Sequence, residues 1–314
     1  MNIKLERIAE RARKETDLKF TSLAHHISKE LIWESLARIS KYTAPGVDHE
    51  AVEGAQKSFN LWFEELMKSI HLKSYIPPTG VGVPRVVDVV LQYSTTEVLS
   101  AIYEQDFLNY SFGGRPGRGL HNALATLNEI IAGEKVSWVL EASFKDFFGS
   151  LENQWMMGFV QRRVRDPRII SMIRGWLKAG VMKAGKIQAS EIGTTQGDSI
   201  RVLLSNVYLH YVLDQWFETL VKPGLKGEAY LIRYIDDFIV CFQYRSEATR
   251  FHEALEKRLE EFSLSLEPNK TNLVEFGRFP TKHFKDQVKR VDKIYYYGFT
   301  NYGTQARIMK CEVQ

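Results

Sequence analysis

The chain has 314 residues, 44% of them hydrophobic, with 42 Lys and Arg against 38 Asp and Glu and a formal net charge of +4. That length supports a large core and more than one subdomain, and so mild a charge does not by itself announce a polyanionic partner. Cys241 and Cys311 form no Cys-x-x-Cys pair, which excludes a cysteine-built zinc site and suits a reducing, cytoplasmic (intracellular) setting. No apolar run is long enough to span a membrane.

The opening stretch MNIKLERIAERARKETD is charged and amphipathic, unlike a signal peptide. Val52, Ala55, Phe59, Trp62, Leu66 and Ile70 recur at helical spacing, so one helix is expected over 50–70. The Pro- and Gly-rich segment 74–84 must be irregular. Helices are expected over 85–108 and 119–132, followed by a strand over 136–142. A long helix is expected over 200–220, with Leu204, Val207, Tyr208, Tyr211 and Val212 on its apolar side. AYLIRY and FIVCFQY then flank a short polar turn, which is a hairpin pattern. An amphipathic helix is expected over 246–262, and LSLEPNKTNLVEF reads as a second short hairpin. Helices and strands are mixed without regular alternation, which predicts an α+β, palm-like architecture.

Charge is segregated along the chain. Residues 160–186 carry eight basic residues against Asp166, and residues 269–310 carry nine against Glu275, Asp286 and Asp292. Such stretches suit a polyphosphate partner or a solvated basic face. Trp155, Trp176 and Tyr295–Tyr297 lie beside basic residues, where they would stack bases or fill a core.

The first hairpin carries Tyr234-Ile235-Asp236-Asp237. Adjacent carboxylates at a hairpin tip repel each other unless a cation neutralises them. Phosphoryl transfer uses such pairs to hold divalent ions, and hard ions such as Mg²⁺ prefer carboxylate oxygens. Asp also favours turns, so for the pair alone an ordinary turn is the commoner explanation.

Tyr-Ile-Asp-Asp between two β-runs resembles the Y-x-D-D motif of reverse transcriptases, and further segments match in that family's order. They are Ala44-Pro45-Gly46-Val47-Asp48, Gly82-Val83-Pro84 through Gln92, and Tyr103-Glu104 leading into Ser111-Phe112-Gly113-Gly114-Arg115-Pro116-Gly117-Arg118. Gly193-Thr194-Thr195-Gln196-Gly197, Asn269-Lys270-Thr271, Glu275-Phe276-Gly277-Arg278-Phe279 and Tyr297-Gly298-Phe299-Thr300 follow. The resemblance, of the group II intron type, covers roughly residues 35–303.

It implies a fingers–palm (right-hand polymerase) fold with a truncated thumb. Residues 1–34 would be a helical extension, 35–135 fingers-like, 136–279 palm, and 280–314 the start of the thumb or connection. The implied activity is DNA synthesis on an RNA template. Asp236 and Asp237 would bind Mg²⁺, with Mn²⁺ as the alternative ion. Phe144, Gln196, Gly197 and Lys270 would approach nucleotide or template, and Arg115 and Arg118 would hold the nucleic-acid backbone or the fingers. The implied partners are an RNA template or intron RNA, a DNA primer and a dNTP, with no membrane.

The sequence also departs from the family pattern. The first palm motif normally carries a third metal-binding Asp, as in A-D-I-K-G-F-F-D. Here the stretch is Ala142-Ser143-Phe144-Lys145-Asp146-Phe147-Phe148-Gly149, so Ser143 holds the Asp position and Gly149 the later one. A neutral hydroxyl is a poor Mg²⁺ ligand. Glu141, on the same strand face as Ser143, Asp146, one turn onward, and Asp198, after Gln196-Gly197, are candidate surrogate carboxylates. Tyr75-Ile76-Pro77-Pro78-Thr79 runs nearly straight into Gly80-Val81-Gly82-Val83-Pro84, without the family's basic fingers hairpin. The alternative reading is therefore a non-catalytic RNA-binding relative.

Overall fold

A computed structural model describes residues 3–40, 48, 50–78, 84–181, 189–190, 193–194, 199–275, 293–296, 299–302 and 310–313. The first helices are α1 (Ile3–Lys14), α2 (Lys29–Arg38), α3 (Val52–Lys57), α4 (Phe59–His71), α5 (Val86–Asp106) and α6 (Leu120–Gly133). They are followed by α7 (Phe147–Ser150), α8 (Asn153–Arg163), α9 (Pro167–Lys178), α10 (Ser199–Leu209) and α11 (Arg245–Glu260). The strands are β1 (Trp138–Ser143), β2 (Ala189–Ser190), β3 (Gly193–Thr194), β4 (Ala229–Tyr234), β5 (Asp237–Phe242), β6 (Asn272–Glu275), β7 (Lys293–Tyr296), β8 (Phe299–Tyr302) and β9 (Lys310–Val313).

The chain forms two compact units, each built from separated segments. The first comprises residues 1–107 and 151–208, the second residues 108–150 and 209–314. Compactness thus divides the chain differently from the linear motif blocks.

The first unit is mainly helical. Its centre is α5, whose residues Val90, Leu91, Val98, Leu99 and Ile102 are fully buried, and α1, α2 and α3 pack against it. The N-terminal segment is tied down by charge. Arg163 donates to the carbonyls of Ala12 (2.9 Å), Glu15 (2.9 Å) and Thr16, and Asp166 accepts from the amides of Leu23 (2.6 Å) and Ala24 (2.9 Å). The single helix expected over 50–70 is broken at Ser58 into α3 and α4. The Ser58 hydroxyl donates back to the Gly54 carbonyl at 3.0 Å. A back-bonding serine four residues beyond a glycine is a natural place for a helix to break.

The second unit holds an antiparallel sheet in the order β4-β5-β1-β6. Its three longer strands are almost wholly buried, which explains why FIVCF reads as a continuous apolar run instead of alternating. Phe242 packs on Phe251 of α11 at 5.3 Å between ring centroids. By strand alternation, Phe238 and Phe242 face α11, while Asp237, Ile239 and Cys241 face the other side. The long helix expected over 200–220 is α10 continued by two π-helical turns, His210–Asp214 and Phe217–Val221. The hairpin expected in LSLEPNKTNLVEF does not form. Pro268 opens a 3₁₀ turn, Pro268–Lys270, and β6 pairs with β1, its residues opposite Trp138–Glu141. Among the described residues, no helix is long and apolar enough to cross a membrane.

Candidate active site

Tyr234 and Asp237 are the last ladder pair of the β4–β5 hairpin, so Ile235 and Asp236 form a two-residue turn. Ile235 has φ 57° and is buried. Positive φ at the first turn position is normally filled by glycine, and a β-branched residue there is strained. Surrounding contacts must therefore hold the turn that carries the carboxylates. One comes from the loop after α5. A Cβ on Gly113 would sit 2.6 Å from the Ile235 amide and 2.5 Å from its side chain, so only glycine permits this approach. The Phe112 amide also donates to the Arg233 carbonyl at 2.9 Å.

Ser143 pairs directly with Asp237 across the β1–β5 ladder. Antiparallel partners project to one side of a sheet, and the Ser143 hydroxyl donates to the Asp237 carboxylate. Burial pushes the Asp237 carboxyl up from its ordinary value, while this hydrogen bond and the nearby Lys270 ammonium pull it down. The net shift is upward, so the fold carries a carboxylate whose charge the protein under-compensates.

Asp236 is half-buried, and its carbonyl accepts from the Phe144 amide at 3.4 Å. Ser143, Asp236, Asp237 and Lys270 are thus gathered at one end of the sheet. Glu141 is buried on the same strand face, opposite Ile239 and Asn272, further along the ladder. Asp146 is exposed with φ 40° at the start of α7. A side chain at Gly149 would collide with the Asp146 carboxylate, so Asp146 fills the space of the later Asp of the expected motif. Among the described residues, no group of three or more His, Cys, Asp or Glu side chains is placed to hold a metal ion. Gln196, Gly197 and Asp198 lie outside the described residues.

Phe144 is buried among Phe147 and Phe238, with ring centroids 5.3 and 5.4 Å away, so its ring is part of the core. Arg115 is also turned inward. Its guanidinium donates to the carbonyls of Leu108 and Ser111, both at 2.7 Å, and so braces its own loop. Arg118 is bound to Asn109 at 2.6 Å through the carbonyl and 3.0 Å through the side chain. Of the two aromatics in the basic region 160–186 or next to it, Trp176 is fully buried and Trp155 is 40% exposed.

The chain matches the family described as reverse transcriptase (RNA-dependent DNA polymerase) over residues 79–301. It belongs to that family. The match implies a fingers–palm polymerase fold, consistent with the mixed helices and antiparallel sheet. Its relatives identify the group II intron type. The chain is 26% identical over 222 residues to the group II intron-encoded protein LtrA of Lactococcus lactis subsp. cremoris, covering 66% of this chain and 37% of that protein. It is 30% identical over 163 residues to protein YkfC of Escherichia coli (strain K12), covering 49% and 42%. It is 25% identical over 190 residues to nuclear intron maturase 3, mitochondrial, of Arabidopsis thaliana, covering 52% and 26%. The chain therefore spans less than half the length of each of these relatives.

The family uses divalent ions, and the residues present fit that use in part. Asp236 and Asp237 are adjacent carboxylates, the oxygen chemistry hard cations prefer, and burial raises the Asp237 carboxyl. Ser143, across the ladder from Asp237, is a neutral hydroxyl and adds no third carboxylate.

The sequence motifs single out neither Asp214 nor Arg233. Arg233 is adjacent to the motif, and an arginine inside the apolar run AYLIRY was its only advance signal.

Proposed function

We propose that this chain binds an RNA template paired with a DNA primer in the manner of a reverse transcriptase, and that its nucleotidyl transfer is severely weakened by Ser143. The observation that carries this reading is the placement of the Ser143 hydroxyl opposite, and bonded to, Asp237. Asp236 and Asp237 would hold the ion, Mg²⁺ or Mn²⁺. A bound divalent ion supplies charge neutralisation at the reacting phosphate and at the attacking oxygen.

The protein's own part is positioning. The hairpin carries two adjacent carboxylates, Ser143 faces one of them across the ladder, and Lys270 places an ammonium near the same carboxylate, suited to an incoming triphosphate. Ser143 holds geometry but adds no negative charge, so the affinity for ions falls where a third carboxylate would raise it. The partners follow from the family: RNA template or intron RNA, DNA primer and dNTP.

A second reading, a non-catalytic RNA-binding protein, is favoured by two neutral residues in one motif, Ser143 and Gly149. Two measurements on the folded chain separate the readings. Fluorescence anisotropy of a labelled RNA–DNA hybrid is expected to show binding. Primer extension in Mg²⁺ and then Mn²⁺ is expected to be slow and to vanish in Asp236→Asn. Folded protein that ignores the hybrid would falsify the proposal. Binding without extension, in this chain and in Ser143→Asp, would establish the second reading.

A further inference from the structure

Beneath the acidic turn lies a fully buried ion pair. Arg233 and Asp214 both have side chains with 0% exposure. Arg233 Nε donates to Asp214 Oδ1 at 2.8 Å and Nη2 to Oδ2 at 2.6 Å, a two-pronged contact. The same guanidinium reaches further. Nη1 donates to the Ile235 carbonyl at 3.0 Å, and Nη2 donates to Ser111 Oγ at 2.9 Å. One side chain therefore connects the π-helical turn that carries Asp214, the loop that carries Gly113 and the strained turn that carries Asp236.

A pair removed from water this completely is a weak source of stability, because desolvation offsets most of its attraction. Packed apolar groups would fill the space as well. The geometry offers a different reason for its presence. The Ile235 peptide has positive φ, and Arg233 holds its carbonyl. Ile235 immediately precedes Asp236, so the orientation of that peptide sets where the two carboxylates project. Asp214 is anchored in turn, since its carbonyl accepts from the Tyr110 hydroxyl at 2.9 Å.

We infer that Arg233 and Asp214 are positioning residues that pre-organise Asp236 and Asp237 for a divalent cation by clamping the Ile235 peptide. Neither would touch the ion. The inference rests on the proposed role of Asp236 and Asp237. Loss of partners that orient a ligand typically weakens metal binding about 10- to 100-fold.

The test is Mn²⁺ titration of the full chain, followed by electron paramagnetic resonance, alongside thermal melting. Asp236→Asn/Asp237→Asn defines the signal that belongs to the pair. Arg233→Lys keeps the charge but not the fork of donors. Because it leaves Asp214 imperfectly matched and so destabilises the fold, a second variant, Arg233→Met/Asp214→Leu, removes both charges together and keeps the site filled. The expected result is a half-saturating Mn²⁺ concentration raised about tenfold or more in the folded double variant. A role in folding alone would lower the melting temperature and leave the affinity of the folded protein unchanged, and that result overturns the inference. Absence of pair-dependent Mn²⁺ binding in the unaltered chain overturns both the reading of the carboxylates and the inference built on it. Normal binding there with an unshifted double variant overturns the inference alone.

Discussion

Ser143 and Asp237 are ladder partners in the palm sheet, and the hydroxyl of the first donates to the carboxylate of the second. The contact keeps Asp237 oriented while leaving it short of positive charge. A hydroxyl in this slot stabilises the metal-free protein, whereas a carboxylate there would add repulsion that only a cation relieves.

The upward shift at Asp237 has a consequence for stability. A carboxyl raised in the folded state binds more protons than its unfolded counterpart between the unfolded and folded values, so its contribution to stability falls as pH rises through that window. Asp237→Asn should therefore melt higher than the unaltered chain at pH 7. The advantage should shrink as pH is lowered through the folded value towards about 4. Mg²⁺ should raise the melting point of the unaltered chain and not that of the variant. Melting curves over a pH series, with and without Mg²⁺, check all three.

Gly113 is the close-approach point for the acidic turn. Gly113→Ala must push Ile235 away, with the nearest backbone atom at 2.6 Å from the new methyl. Overpacking of this kind costs about 1–3 kcal/mol. Chemical denaturation should show that loss, and pair-dependent Mn²⁺ binding should weaken alongside it.

The two tryptophans of the basic region should separate. Trp176 is fully buried, so Trp176→Ala should cost about 3–5 kcal/mol of stability. Trp155 is 40% exposed and stacks on Phe159 at 6.0 Å, with Arg162 and Arg165 exposed nearby in sequence. Trp155→Ala should leave the melting point nearly unchanged and weaken RNA binding, since an exposed ring on a basic surface contributes about 1–3 kcal/mol per stacked base. Parallel melting and anisotropy measurements check both expectations. Unchanged RNA affinity would return Trp155 to the ordinary surface.

Much of this was legible before the fold. The acidic hairpin and its flanking strands follow from local pattern, because strand alternation and a two-residue turn are short-range features. The segments around α5, α6 and α11 were also readable from their apolar spacing. What escaped has non-local causes. Asp214 and Arg233 are nineteen positions apart and meet only because the palm sheet folds back over the π-helical turn. Phe144 and Arg115 resemble contact residues by motif position, but burial turns both inward. Glu275 and its strand pair with Trp138, far back in the chain, where a local hairpin was expected.

The most direct test of the account is Mg²⁺-dependent extension of a DNA primer on an RNA template, comparing the unaltered chain with Ser143→Asp. The account predicts weak or undetectable extension by the unaltered chain and about a hundredfold faster extension or more by the variant, the lower end of what one preorganised electrostatic group contributes. Rapid extension by the unaltered chain, with no gain from Ser143→Asp, would contradict it and would mean that a carboxylate elsewhere already completes the site.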